Sequence, residues 1–148
     1  MSSTRSSAGL ALWISKVVPA VPRVVFEAWL DPSALKVFLS PAKGTSAARV
    51  ETEPRVGGRF AIATRQGDVE LEHTGEYRVI EPFERLVFTW RSGAAEDPSQ
   101  VSLTFEPVGR EQTRLTLEHT GIGSEPAQRQ HEQTWNRVFH ELLRAITH

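Results

Sequence analysis

The sequence predicts one α+β domain: a curved antiparallel β-sheet wrapped around a long C-terminal α-helix, with two short helices after the first strand. Three observations carry this. Between Ala48 and His119, apolar residues recur at every second position, the period of strands with one covered face. The links between these runs are short and rich in Gly and Pro, so successive strands pair as an antiparallel meander. The last stretch switches to helical spacing, with Trp135, Val138, Phe139, Leu142, Leu143 and Ile146 on one stripe. A lone sheet with one apolar face must cover it, and only this helix is long enough.

The elements follow in order. Residues Leu10 to Val18, LALWISKVV, are rich in β-branched and aromatic residues and read as the first strand. Val24, Val25, Ala28 and Trp29 then recur at helical spacing. Asp31 followed by Pro32 starts a second short helix, because Asp caps free N–H groups and Pro fits the first turn. Its apolar face is Leu35, Phe38 and Leu39, and Pro41 closes it. Six strands are expected next: ARVETE, RFAIATR, VELEHTGEYRVI, ERLVFTW, QVSLTFE and TRLTLEH. In the third of these, Val69, Leu71, His73, Gly75, Tyr77 and Val79 share the inner face, and Glu70, Glu72 and Glu76 form a solvated acidic ridge. Turns fall at Gln66–Asp68, Glu81–Pro82, Ser92–Pro98 and Pro107–Glu111. Gly57 and Gly58 open a strand instead of preceding a helix, so they read as a sheet-bending turn and not as a phosphate loop; Arg59 then faces outward and Phe60 inward. Ser124 is the expected N-cap of the last helix, with Glu125 and Pro126 in its first turn.

Bulk properties narrow the function. The 148 residues suit a single domain, read as residues 10–148 behind a Ser-rich N-terminal tail, residues 1–9. A chain of this length buries roughly 70% of its unfolded surface, enough for a core and a modest cavity. The formal net charge of −1, from 17 basic and 18 acidic residues, leaves no broad basic field for nucleic acid. The absence of cysteine removes disulfides, thiol catalysis and thiolate metal sites, and fits a reducing, cytoplasmic setting. No apolar run approaches a membrane span, and no signal-peptide pattern follows the start.

The stretches VPRVVFEAWLDPSALKVF, RVGGRF, GEYRVIEPFERLVFTW and VSLTFEPVGREQTRLTLEHTGI, followed by a Trp-bearing terminal helix, resemble the activator-of-heat-shock-protein-90-ATPase homologues of the START-like (SRPBCC, Bet v 1-like) superfamily. The resemblance runs from about Leu12 to the end. It implies the helix-grip fold, in which the sheet grips the terminal helix around a hydrophobic cavity, and a role in binding apolar ligands. Two positions depart from the family's pattern. Phe38 stands where Trp is usual near the end of the second short helix, and Thr134 precedes Trp135 where Gly is common.

Candidate chemistry is sparse. His131 and His140 each begin an H-E-x-x-x stretch, but Trp135 and Arg144 occupy the second zinc-ligand position, so both read as surface histidines and no metal is expected. His73 and His119 alternate onto the apolar face, as satisfied core residues or as polar handles in the cavity. GIGSEP lacks a third glycine and a βαβ setting, and reads as a turn. The ligand-binding residues expected are Trp29, Phe38, Phe60, Ile62, His73, Tyr77, Phe88, Trp90, His119, Trp135 and Phe139. Trp135, Phe60, Tyr77 and Phe38 are the expected cavity wall. The reading favours a binding module for a small apolar ligand, without a cofactor. The alternatives are a START-like cyclase or hydrolase using His73 with Tyr77, and a co-chaperone-like interaction module; a homodimer is left open.

Overall fold

In a computed structural model, residues 9–39, 46–93 and 97–146 are described. Strand β1 (Leu10–Val18) leads into helices α1 (Pro22–Ala28) and α2 (Pro32–Phe38). Strands β2 (Ser46–Thr52), β3 (Arg59–Gln66), β4 (Val69–Glu81), β5 (Arg85–Ser92), β6 (Ser99–Val108) and β7 (Gln112–Ile122) follow, and helix α3 (Glu125–Ile146) ends the chain. The seven strands form one antiparallel sheet in the order β1-β7-β6-β5-β4-β3-β2. The meander thus runs from β2 to β7, and the N-terminal strand closes beside the last. The expected tail, apart from Gly9, lies outside the described residues, as does Pro41.

Local chemistry sets the helix ends. Asp31 Oδ1 accepts from Ser33 N–H at 3.0 Å, with Pro32 in the first turn of α2. Ser124 Oγ accepts from Ala127 N–H at 3.2 Å and so caps α3. The Gln128 side chain donates to Ala11 O at 2.6 Å and ties α3 to β1. Thr52 Oγ1 donates to Leu30 O at 3.2 Å, which pins the break between α1 and α2 to β2. At the glycine pair, Gly57 has φ +85° and donates to Tyr77 O at 2.8 Å, while Tyr77 N–H donates to Gly58 O at 2.9 Å. A Cβ on Gly58 would collide with Glu53 O. The pair is a tight turn entering β3, with Arg59 exposed and Phe60 buried, as expected.

Four expectations change. In β4, Val69 and Leu71 are exposed, because the β3–β4 hairpin runs past the part of the sheet that the core covers. A register shift between Tyr77 and Val79 reverses the alternation, so Ile80 packs against the core in place of Val79. In α1 the buried face is Val25, Phe26 and Trp29, and Val24 is exposed. Phe26 was absent from the expected face, yet it meets Phe105 of β6 edge-on at 5.3 Å. Finally, Pro107 lies within β6, opposite Thr113, and not in a turn.

Candidate functional site

The inner face of the sheet carries Phe60 and Ile62 on β3, Tyr77 on β4, and Phe88 and Trp90 on β5. They are inward because they occupy alternate positions of their strands, and the large apolar side chains of β3 and β5 fall mostly on that one phase. Register brings the rings together: Phe60–Phe88 at 5.3 Å, Phe60–Tyr77 at 5.5 Å and Phe60–Trp90 at 6.1 Å. Phe60 is paired across the ladder with Gly75. A Cβ on Gly75 would strike both the Phe60 ring and Thr89 O, so only glycine lets this ring lie over the strand. From the helical side, Trp135 of α3 packs on Trp90 at 4.9 Å, and Trp29 at the end of α1 lies 6.5 Å from Trp135.

Between these groups is an interior cavity of about 20 Å³. Phe60, Ile62, Tyr77, Phe88 and Trp90 of the sheet form one side of its wall; Trp29, Leu35, Leu39 and Trp135 form the other. This volume suits about one water molecule. No charged side chain of the described residues reaches it, and Tyr77 is held neutral because burial pushes its pKa well above the usual range. The indole N–H groups of Trp29 and Trp90 are both buried without a hydrogen-bond partner among the described residues. Each unpaired donor costs the folded state roughly 1–3 kcal/mol. A much larger open groove, about 590 Å³, lies on the outer side, with Glu51, Glu53, Arg59, Glu72 and Glu76 on its walls. Its lining is mainly the solvated face of β2 to β5, and the acidic ridge within it pairs with arginines, as in Arg49–Glu72 at 3.3 Å.

The two strand histidines sit beside the cavity, in separate polar networks. His119 Nδ1 accepts from Trp135 Nε1–H at 2.9 Å. Indole can only donate, so the neutral imidazole carries its proton on Nε2. Nε2–H therefore donates to Ser99 Oγ at 2.6 Å, and Ser99 passes its own proton to Trp90 O at 3.1 Å. The Ser99–His119 pair looks like a nucleophile beside a base, but the tautomer is wrong: His119 gives a proton to Ser99 and cannot take one. Burial, with a further contribution from the charge of His131, lowers the His119 pKa to about 3. His73 stacks on Trp90 at 5.1 Å and is bonded to Ser92 Oγ at 3.0 Å and Thr64 Oγ1 at 3.4 Å. Thr64 spends its hydroxyl proton on Leu71 O, so it accepts from His73. Burial first, then His131, lowers the His73 pKa to about 4.

Seven of the eleven expected site residues therefore meet in the cavity wall: Trp29, Phe60, Ile62, Tyr77, Phe88, Trp90 and Trp135. Four do not. Phe38 packs edge-on behind Trp29 at 5.0 Å, and Phe139 reaches the same ring at 6.3 Å. His73 and His119 are bonded as described, so the His73–Tyr77 pair that a catalytic reading needs is not assembled. Leu35 and Leu39 take the place expected for Phe38; their i, i+4 spacing marked an apolar face but not which of its members reaches the cavity. His131 was expected at the surface. It is buried, its ring 4.5 Å from that of His119, because α3 turns this face onto β7. His140 is exposed as expected. No cluster of His, Asp or Glu among the described residues is arranged to hold a metal ion.

A curved antiparallel sheet closed over a long terminal helix, with an aromatic cavity between them, defines a helix-grip domain. The family described as activator of Hsp90 ATPase homolog 1-like protein matches residues 19–147, and the chain belongs to it. A solved protein from Chromobacterium violaceum shares 24% identity at a TM-score of 0.80, covering 93% of this chain and 97% of the other. A protein of the same family name from Aeromonas hydrophila shares 20% identity at a TM-score of 0.77, over 91% and 90% of the two chains. A Staphylococcus aureus protein of unknown function is similar at 16% identity and a TM-score of 0.73, over 94% and 96%. These likenesses establish the fold. No curated protein matches the chain, and no described helix is long and apolar enough to cross a membrane.

Proposed function

We propose that the domain binds a small, largely apolar molecule between the sheet and α3, with the cavity wall as the contact surface. The observation that carries this is the wall itself: aromatic and aliphatic side chains from six elements converge on unfilled space, and no charged side chain of the described residues reaches it. Close packing is the norm for a protein interior, so a void at the meeting point of nine large side chains is a place where the core is ready to part. The resting volume of about 20 Å³ is too small for an organic ligand, so binding has to widen it. On this reading the side that yields is α2, a seven-residue helix that supplies Leu35 and is capped by Leu39. A helix this short owes its stability to packing and not to its own hydrogen bonds. Affinity then comes from apolar burial, at about 25 cal/mol per Å² before the cost of immobilising the ligand. Phe38, Phe139, His73 and His119 act from behind the wall by holding Trp29, Trp90 and Trp135 in place. A cysteine-free domain of this kind suits the cytoplasm.

The test is thermal unfolding with naphthalene as the ligand, on the wild type and on Leu35→Ala. Truncation opens space that the wild type must make for itself, so Leu35→Ala is expected to be less stable by about 2–5 kcal/mol. Naphthalene should raise the Tm of both, and that of the variant by more. A folded Leu35→Ala whose Tm does not respond to naphthalene would refute the reading.

A further inference from the structure

Apolar walls select for size; the polar atoms that stay accessible in them select for chemistry. The nine residues of this wall carry four polar side-chain atoms, three indole N–H groups and the Tyr77 hydroxyl. The indoles are closed off. Trp135 spends its N–H on His119, and the N–H groups of Trp29 and Trp90 have essentially no accessible surface. The Tyr77 hydroxyl differs on both counts. No described residue hydrogen-bonds to it, and, unlike the Trp29 and Trp90 N–H groups, it keeps accessible surface. Burial alone, with no hydrogen bond to the hydroxyl, raises its pKa above the usual tyrosine range. The residue is held firmly. Gly57 N–H donates to Tyr77 O at 2.8 Å and Tyr77 N–H donates to Gly58 O at 2.9 Å, so the glycine turn fixes its backbone. Phe60 and Phe88 flank its ring at 5.5 and 6.5 Å. A strand side chain stands off its sheet, so the hydroxyl is the part of Tyr77 farthest from β4, on the side where Leu35, Leu39 and Trp135 close the cavity.

Resting on the binding function above, we infer that Tyr77 sets the chemistry of the ligand: a neutral, mostly apolar molecule with one oxygen function, a hydroxyl or a carbonyl, that hydrogen-bonds to the Tyr77 hydroxyl. A phenol O–H both donates and accepts, so either oxygen function satisfies it. One hydroxyl serves one such group; each further polar group on the ligand enters an apolar wall unpaired and weakens binding. Ions are disfavoured more strongly, because no charged side chain of the described residues lines the cavity to offset their desolvation. A hydrocarbon of the same shape fits the space but leaves the hydroxyl unpaired. Turn and rings already hold Tyr77 in place, so forming the contact costs little further ordering of the protein.

Tyr77 is the single tyrosine of the chain, which makes the contact directly observable. The full chain, labelled with ¹³C at tyrosine Cζ, gives one resonance, and that carbon bears the hydroxyl. The ligands are two isosteric pairs, 1-naphthol with 1-methylnaphthalene and 2-naphthol with 2-methylnaphthalene, which present the substituent from two positions. Dissociation constants are measured for the wild type and for Tyr77→Phe, which loses no hydrogen bond within the protein and is expected to fold. In at least one pair, the affinity of the naphthol relative to its methyl partner should fall about ten-fold in Tyr77→Phe, the worth of one hydrogen bond and of the polar group left unpaired. Taking the ratio within a pair cancels any change of cavity shape that acts on both members. The same naphthol should shift the Cζ resonance of the wild type, and its methyl partner should shift it less. The resonance needs no variant, so it decides even if Tyr77→Phe fails to fold. An unchanged ratio in both pairs, or naphthol binding that moves the resonance no more than the hydrocarbon does, overturns the inference and leaves apolar binding standing. If neither pair binds the wild type, the binding function falls and the inference with it.

Discussion

Acidification from pH 7.5 to pH 5 is expected to cost the fold about 4 kcal/mol through two residues, His73 and His119. Both are buried, and both hold a pKa far below the ordinary histidine value of 6.5, at about 4 and about 3. The folded state keeps them neutral, whereas the unfolded chain takes up a proton on each once the pH falls below 6.5. Stability is therefore complete above that value and is lost progressively down to the folded pKa values. At pH 5 the unfolded chain lies about 1.5 pH units below its own pKa, which amounts to about 2 kcal/mol per residue. That figure barely depends on the folded pKa, provided it stays below about 4.5. The geometry gives the reason for His119: a second proton would go on Nδ1, facing the Trp135 N–H that now donates to it. The assay is urea unfolding at a series of pH values. With an m-value of about 2 kcal/mol per M, the midpoint should fall by roughly 2 M. His119→Gln and His73→Gln do not titrate, and each should remove about half of the pH dependence whatever its effect on stability at pH 7.5. A midpoint that is flat between pH 7.5 and 5, or variants that retain the full slope, would refute the reasoning.

Two further outcomes follow from the same geometry. Gly75→Ala places a Cβ into the Phe60 ring and Thr89 O, and should destabilise by at least about 3 kcal/mol in urea unfolding, well beyond the usual cost of an alanine in a strand. Ser99→Ala strips His119 Nε2–H of its buried acceptor and should cost about 1–3 kcal/mol; the same measurement should find Ser15→Ala, which loses only the exposed 3.2 Å bond to Thr116, within about 0.5 kcal/mol of wild type.

Much of this molecule is visible in its residue pattern, because the pattern reports which side of an element meets the core. The alternation of Leu86, Phe88 and Trp90, and of Val101, Leu103 and Phe105, identifies strands and their inner faces. The stripe from Trp135 to Leu142 identifies the helix that covers them, and Ser124 its start. Seven of the residues expected at the site do line the cavity, since a cavity between sheet and helix is walled by inward-facing large side chains. Beyond this the pattern stops, because periodicity is blind to distance along the third dimension. It gives Val69 and Leu71 the same phase as His73, yet only packing determines how far the hairpin runs past its cover. It cannot register the shift between Tyr77 and Val79 that turns Ile80 inward. It puts His131 one turn before Trp135, in phase with the apolar stripe, but does not say that the first turns of α3 are covered; only the docking of α3 on β7 buries that end of the stripe against His119. The size of the cavity lies further out of reach, being the small difference between the space the curved sheet encloses and the volume of the side chains that fill it. Three-dimensional packing alone reduces that difference to about 20 Å³ and leaves the N–H groups of Trp29 and Trp90 buried without partners among the described residues.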